Sequence, residues 1–227
     1  MKPSSRHGIQ IPQLPKHLPA GRLDFIDDHA EYTSLSLSDC DLANQAAVGV
    51  LFEQVQCERV AFTRTRLSRM RVIDTRIEAS DLSAADWEKA RFRRVEFVGC
   101  RLLGASLLEA RIEDVLIRDC TGEGAIFASA VFKAARFEQC TLREASFVEA
   151  DLTGVVFHRC DLSKADLRGA KLKGTDLRSS TLDGMQVGAR ELQGAVIGPL
   201  QATLVASLLG IVVKDDDERL PHSTIRS

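Results

Sequence analysis

Residues 145–174 read ASFVE ADLTG VVFHR CDLSK ADLRG AKLKG, six blocks of five in which a small residue precedes a Leu or Phe by two positions. With the large residue as the centre of each block, the pattern runs in phase from Tyr32 to Ile197, which is 34 pentads. Phe92, Phe97, Leu102, Leu107, Ile112 and Ile117 carry it through the middle, preceded by Ala90, Val95, Cys100, Ala105, Ala110 and Val115. A period of five fits neither a helix, whose faces repeat every 3.6 residues, nor an alternating strand. It requires a backbone that points two residues inward and then turns a corner in every pentad.

A longer period lies on top of the first. Cys100, Cys120, Cys140 and Cys160 are spaced by 20, and Cys40 falls on the same column three steps earlier. Ala85, Ala105, Ala125, Ala145 and Ala165 form a second column, and Ala90, Ala110, Ala130, Ala150 and Ala170 a third. Twenty residues therefore return the chain to the same side, so four pentads make one coil with four faces. Like residues stack over like at roughly 4.8 Å per layer, as in parallel strands. Residues 32–198 are predicted to form an all-β solenoid of about 8 coils, a rod about 41 Å long at that spacing.

This repeat resembles the pentapeptide-repeat family, whose A-(D/N)-L-x-x pattern is met across about three quarters of the chain. The resemblance implies a right-handed quadrilateral β-helix with the small and large residues inside.

The ends break the pattern. Residues 1–31 hold four of the six prolines and read as an arm, partly ordered against the solenoid through Ile9, Ile11, Leu14 and Leu18. Gly198-Pro199 marks the other boundary, since Pro suits a first helical position. Leu200, Leu204 and Leu208, with Val205 and Leu209 beside them, recur at helical spacing. Gly210 stops that helix, and Ile211–Val213 reads as a short strand that completes a cap over 199–213. Residues 214–227, including DDDER, read as a disordered acidic tail. The first 21 residues lack an apolar h-region, and the stretch Leu204–Val213 is too short to span a bilayer. A soluble, cytoplasmic protein with thiols rather than disulfides is expected, with no membrane contact.

Catalysis finds little support. Only His158 of the five histidines lies within the coils, on a face, and a hydrolytic triad or a metal site needs more. The cysteine column reads as core packing, because inward thiols behave as small hydrophobes and no His or carboxylate shares their column. Trp87 occupies a large inward position and reads as core. The glycines, Gly99, Gly104, Gly154 and Gly174 among them, sit at pentad corners and form no phosphate loop. No catalytic, cofactor or metal residue is assigned.

The surface can be sorted by face. One face, with Arg71, Arg91, Arg93, Arg94 and Arg111, is net basic, while the side near the cysteine column is net acidic. Candidate partner-facing acids are Asp81, Glu109, Asp119, Glu123, Glu138, Glu144 and Asp161. Leu103, Leu108, Leu116, Ile126, Val131 and Val148 fall at outward positions of the middle coils and read as a candidate apolar patch. The net charge of −2 selects no nucleic-acid partner, and direct nucleic-acid binding is not expected.

The C-terminal ASLLGI (206–211) resembles the helix and strand that form a two-fold dimer in the Qnr-type, Mfp-type and albicidin-resistance branches of the family. That resemblance implies a homodimer through Leu200, Leu204, Val205, Leu208, Leu209, Ile211 and Val213. It also implies a rod that imitates DNA, binds DNA gyrase or topoisomerase IV, and confers resistance to quinolones or natural gyrase poisons. Unbroken phase implies no long projecting loop. The alternative is a scaffold with an unrelated partner, an anionic one on the basic face included.

Overall fold

Each inward column of the sequence becomes a stack of side chains in the computed structural model, which describes residues 5, 6 and 8–214. Strands Arg71–Glu78, Arg91–Val98, Arg111–Arg118 and Val131–Glu138 pair in parallel. Their register is offset by 20, as in Val72↔Phe92, Phe92↔Ile112 and Ile112↔Phe132. Each of these strands crosses two adjacent faces. The other two faces are held by single parallel bridges between turns, such as Asp81↔Arg101 and Asp86↔Ser106. The chain is a parallel β-solenoid with four faces and eight inward columns per coil.

Corners explain why the period is five. From Tyr32 to Leu172 the residue two positions after each centre takes a left-handed conformation, and among the described residues 23 non-glycine positions have φ between 47° and 62°. That region costs an L-residue about 1–2 kcal/mol. The cost is offset because the strained residue donates its N–H to the next coil, as Arg59 does to the Glu78 carbonyl at 3.0 Å and Gln139 to His158 at 2.8 Å. Side chains leave these corners freely, so residues as different as Arg59, Ala79 and Glu109 occupy them.

The core is continuous along the rod. Phe127 stacks on Phe147 at 5.0 Å between centroids, and Phe137 on Phe157 at 4.9 Å, with the two pairs edge to face. Trp87 is buried, and its indole N–H donates to Thr65 Oγ1 at 3.0 Å. Gly122 stands where a large centre is due. Leu142 closes over it, so that an added Cβ would lie 3.1 Å from Leu142 Cδ2.

The N-terminal arm is shorter than the sequence expects. Ala20–Gly21 already pairs in parallel with Ser36–Leu37, and Ile26 is buried, its N–H donating to Gln45 Oε1 at 2.6 Å. Residues 20–31 thus begin the stack rather than belonging to the arm. Their offset of 16 from the next strand hides them from a search at 20.

At the other end, Pro199–Leu208 is a helix whose Leu204, Val205 and Leu208 pack against the last coil. Gln201 anchors it: Nε2 donates to the carbonyls of Leu177 and Ser180, each at 2.7 Å, and Oε1 accepts from Gly198 N–H at 2.7 Å. One side chain thereby satisfies the Ser180 carbonyl, which the N–H of another coil would have engaged, and adds a second bond to the Leu177 carbonyl, which already accepts from Ser180 N–H. The predicted strand over 211–213 does not form. A strand needs an edge to pair with, and a single chain offers none there. The proposed tail, from residue 215 onward, lies outside the described residues, as do residues 1–4 and 7 of the arm.

Candidate binding surfaces

Stacking at 20 residues places outward charges one coil apart, and most of them settle into ion pairs. Asp81 meets Arg101 at 3.6 Å, Glu109 meets Lys89 at 3.6 Å, Glu144 meets Lys164 at 3.3 Å, and Asp161 meets Arg143 at 3.4 Å. Asp119 lies 3.7 Å from Arg118. Of the seven candidate acids, only Glu123 is without a side-chain partner among the described residues. Glu138 is not partner-facing: it is buried and paired with Arg136. Asp81, Glu123, Glu144 and Asp161 share a face, with Asp119 at the preceding corner and Glu109 on the following face. Exposed pairs of this kind contribute little to stability, typically below about 1 kcal/mol, but they neutralise the acidic side locally.

The six outward apolar residues do not form one patch. Leu108, Ile126 and Val148 share a face, with Leu103 and Val131 toward its two corners. Leu116 lies on another face and is buried, because the N-terminal arm covers it. Ile9, Gln10 and Ile11 line a small cleft with Val95, Glu96, Leu116 and Arg136. Gln10 N–H donates to Asp114 Oδ1 at 3.1 Å, and Gln13 N–H to Asp74 Oδ1 at 3.0 Å. Three extended residues reach about 10 Å and two coils rise about 9.6 Å, so the arm runs along the rod axis. Asp74 is itself held by Arg94 through Nε at 2.6 Å and a second nitrogen at 2.5 Å.

The cysteine column is more than apolar filling. Cys100 Sγ lies 3.3 Å from the Ile77 carbonyl of the preceding coil, and Cys140 Sγ 3.3 Å from that of Ile117, each as a weak donor. Ser180, in the same column, donates equivalently to Phe157 at 3.0 Å. All six cysteines are buried free thiols. Burial pushes the Cys57 thiol up to about 12. The Cys120 thiol, and then burial, do the same for Cys140, to about 12. An unfolded thiol titrates at about 8.5. A raised folded value favours the neutral form, so this contribution is complete below that pH and is lost as pH climbs toward 12. Under reducing conditions the melting temperature should therefore fall between pH 8.5 and 11, and less steeply in Cys57→Val. A melting temperature flat across that range would refute the assignment.

One column departs from charge pairing. Arg71, Arg91 and Arg111 are direct register neighbours, all exposed, and none makes a side-chain hydrogen bond or ion pair among the described residues. They line a groove of about 360 Å³ with Arg69, Lys89 and Glu109. At the C-terminal end, Leu200 is 97% exposed and Ile211, Val212 and Val213 are also exposed. The seven residues expected at a dimer interface therefore divide. Leu204, Val205 and Leu208 cap the last coil, Leu209 is half-buried, and Leu200, Ile211 and Val213 face outward.

A pentad of one small and one large inward residue, a left-handed corner and a parallel register of 20 has a direct counterpart in known families. The family model described as "Pentapeptide repeat region" matches residues 77–147, and that described as "Pentapeptide repeats (8 copies)" matches 145–184. Residues 77–184 are pentapeptide repeats. No curated protein matches the chain in sequence. Among solved structures of pentapeptide-repeat proteins, it is similar to full-length QnrB1, a plasmid-mediated fluoroquinolone resistance protein. The identity is 20%, over 86% of this chain and 99% of that one, with a TM-score of 0.47. It is also similar to HetL, involved in heterocyst differentiation regulation in the cyanobacterium Nostoc, at 21% identity over 76% and 91% of the chains, with a TM-score of 0.39. The repeat accounts for the inside of the rod; its outward residues are this chain's own. Among the described residues no cluster of three His, Cys, Asp or Glu could hold a metal, and no helix is long and apolar enough to cross a membrane.

Proposed function

We propose that this pentapeptide-repeat rod is a non-enzymatic, cytoplasmic protein-binding module that pairs with a second copy through its C-terminal end. The observation that carries the reading is the exposure of Leu200, Ile211, Val212 and Val213 beyond a helix already used as a cap. That apolar surface is surplus to closing the coil, and a two-fold pair is the commonest way to cover one. A second copy would also supply the edge that 211–213 needs to become a strand. Wild type should sediment as a dimer and Leu200→Arg/Val212→Arg as a monomer with an unchanged circular dichroism spectrum. A monomeric wild type refutes the pairing. Leu204→Arg is a poorer probe, because Leu204 holds the cap.

DNA gyrase or topoisomerase IV is the partner the sequence resemblance names, in a role that confers resistance to quinolones or natural gyrase poisons. Regularly spaced carboxylates can meet the Lys and Arg groups that neutralise phosphates. Here five of the seven candidate acids are already engaged by basic side chains. Binding must exchange those pairs, so it should weaken steeply with salt. Supercoiling by purified gyrase, with and without a fluoroquinolone, is the test. A rod that neither inhibits, protects nor binds would remove gyrase as the partner and leave a scaffold for another protein.

A further inference from the structure

Opposite charges one coil apart are the rule on this surface: Arg59 with Asp39, Arg94 with Asp74, Lys133 with Glu113, Lys171 with Asp151. Arg71, Arg91 and Arg111 break it. Like charges directly across a parallel pair are destabilising, and nothing in the solenoid requires arginine at these positions. The same column carries Val131 and then Asp151 in the next coils. Of the groove's other lining residues, Lys89 is already bound by Glu88 and Glu109, while Arg69 has no partner among the described residues. The groove thus presents three unengaged guanidinium groups in a line along the rod axis, with that of Arg69 at the corner beside Arg71.

From this geometry we infer that the Arg71–Arg91–Arg111 ladder binds an acidic helix lying along the rod. The inference rests on the protein-binding reading and names the chemistry of one partner. Coils rise about 4.8 Å, whereas a helix advances about 1.5 Å per residue. Carboxylates at i, i+4 and i+7 then lie near 0, 6 and 10.5 Å, against about 0, 4.8 and 9.6 Å for the arginines. The mismatch stays near 1 Å, within the reach of a flexible arginine. An extended peptide fits poorly: its same-side carboxylates recur every 6.6–6.8 Å, roughly, and drift by about 4 Å over two coils. Single-stranded nucleic acid is disfavoured because no aromatic ring lines the groove to stack a base. Val131, half-exposed and next in the column, would meet an apolar residue at i+11.

The test uses the full chain and fluorescence anisotropy. The probes are a labelled alanine-rich helical peptide with Glu at i, i+4 and i+7 and Leu at i+11, an isomer with the same residues spread around the helix, and a single-stranded DNA 12-mer. The striped peptide should bind at least tenfold tighter than its isomer and than the DNA, and more weakly as salt rises. Arg91→Glu should abolish binding yet raise the melting temperature, because a carboxylate there bridges two arginines; loss of binding therefore cannot be blamed on misfolding. Lys171→Ala should bind as wild type. Tighter binding of the DNA, equal binding of the two peptides, no binding, or unchanged binding by Arg91→Glu would each overturn the inference. Gyrase activity with no striped-peptide binding refutes the ladder alone, and the converse refutes only gyrase as the partner.

Discussion

Phe137→Ala is expected to cost about 3–5 kcal/mol, the usual penalty for emptying a large aromatic site in a core. The upper half of that range applies here. Phe137 is fully buried, stacks on Phe157 at 4.9 Å, and meets Phe127, Phe132 and Phe147 at 5.9–6.2 Å. Its neighbours are fixed by the ladder above and below and cannot collapse into the hole. A larger consequence follows from topology. Each coil touches only its neighbours, so stability is a sum of coil terms and interfaces, and a weak coil in the middle uncouples the halves. Trp87 is the sole tryptophan and lies on the N-terminal side of Phe137. In wild type, tryptophan fluorescence and far-ultraviolet circular dichroism should report one urea transition. In Phe137→Ala the dichroism should develop an earlier phase, from the C-terminal coils, that the fluorescence does not share. Coincident transitions shifted by less than about 1 kcal/mol would contradict this account of the core.

The parts of the molecule that were legible in its sequence are those governed by the stack. Phe92, Ile112 and Phe132 repeat because one column must be apolar in every coil, and spacing alone exposes that constraint. Ion pairs such as Asp39–Arg59 and Asp74–Arg94 were in principle readable too, since residues 20 apart become neighbours. The arm was legible only in part. Ile9 and Ile11 do line a cleft over Leu116, as their apolar character suggests, but where the arm docks is set by backbone N–H groups of Gln10 and Gln13, which every residue but proline carries. Gln201 went unnoticed because a single amide that stands in for the N–H of a missing coil has no periodicity. For the cysteines a signal did exist. Ser80 and Ser180 stand in the column of Cys40, Cys100, Cys120, Cys140 and Cys160, and a column that holds both thiols and hydroxyls marks a hydrogen-bonding position, not a purely apolar site. The outward acids were legible as positions but not as free charges, because pairing depends on the residue one coil away.

Asp74→Asn should be the most damaging change outside the core, at about 3 kcal/mol, the lower end of the range for breaking a buried ion pair. Asp74 and Arg94 have side chains 7% and 12% exposed, so loss of the carboxylate strands a guanidinium with little access to water. Asn tolerates the left-handed corner, where Asp74 has φ 47°, so backbone strain does not enter. The lower end applies because Asp114, in the same outward column one coil beyond Arg94, can take up part of the charge. Asp74 Oδ1 also accepts the Gln13 N–H, which ties loss of the pair to release of the arm and exposure of Leu116. Asp114→Asn separates the two effects. Asp114 accepts Gln10 N–H but forms no ion pair within hydrogen-bonding range, so it should cost only about 1 kcal/mol while still loosening residues 9–13. Urea unfolding gives the two energies, and hydrogen exchange at Gln10 and Gln13 reports the arm. If Asp74→Asn costs no more than Asp114→Asn, the pair contributes nothing beyond holding the arm, and Arg94 must be solvated in a way this packing does not allow.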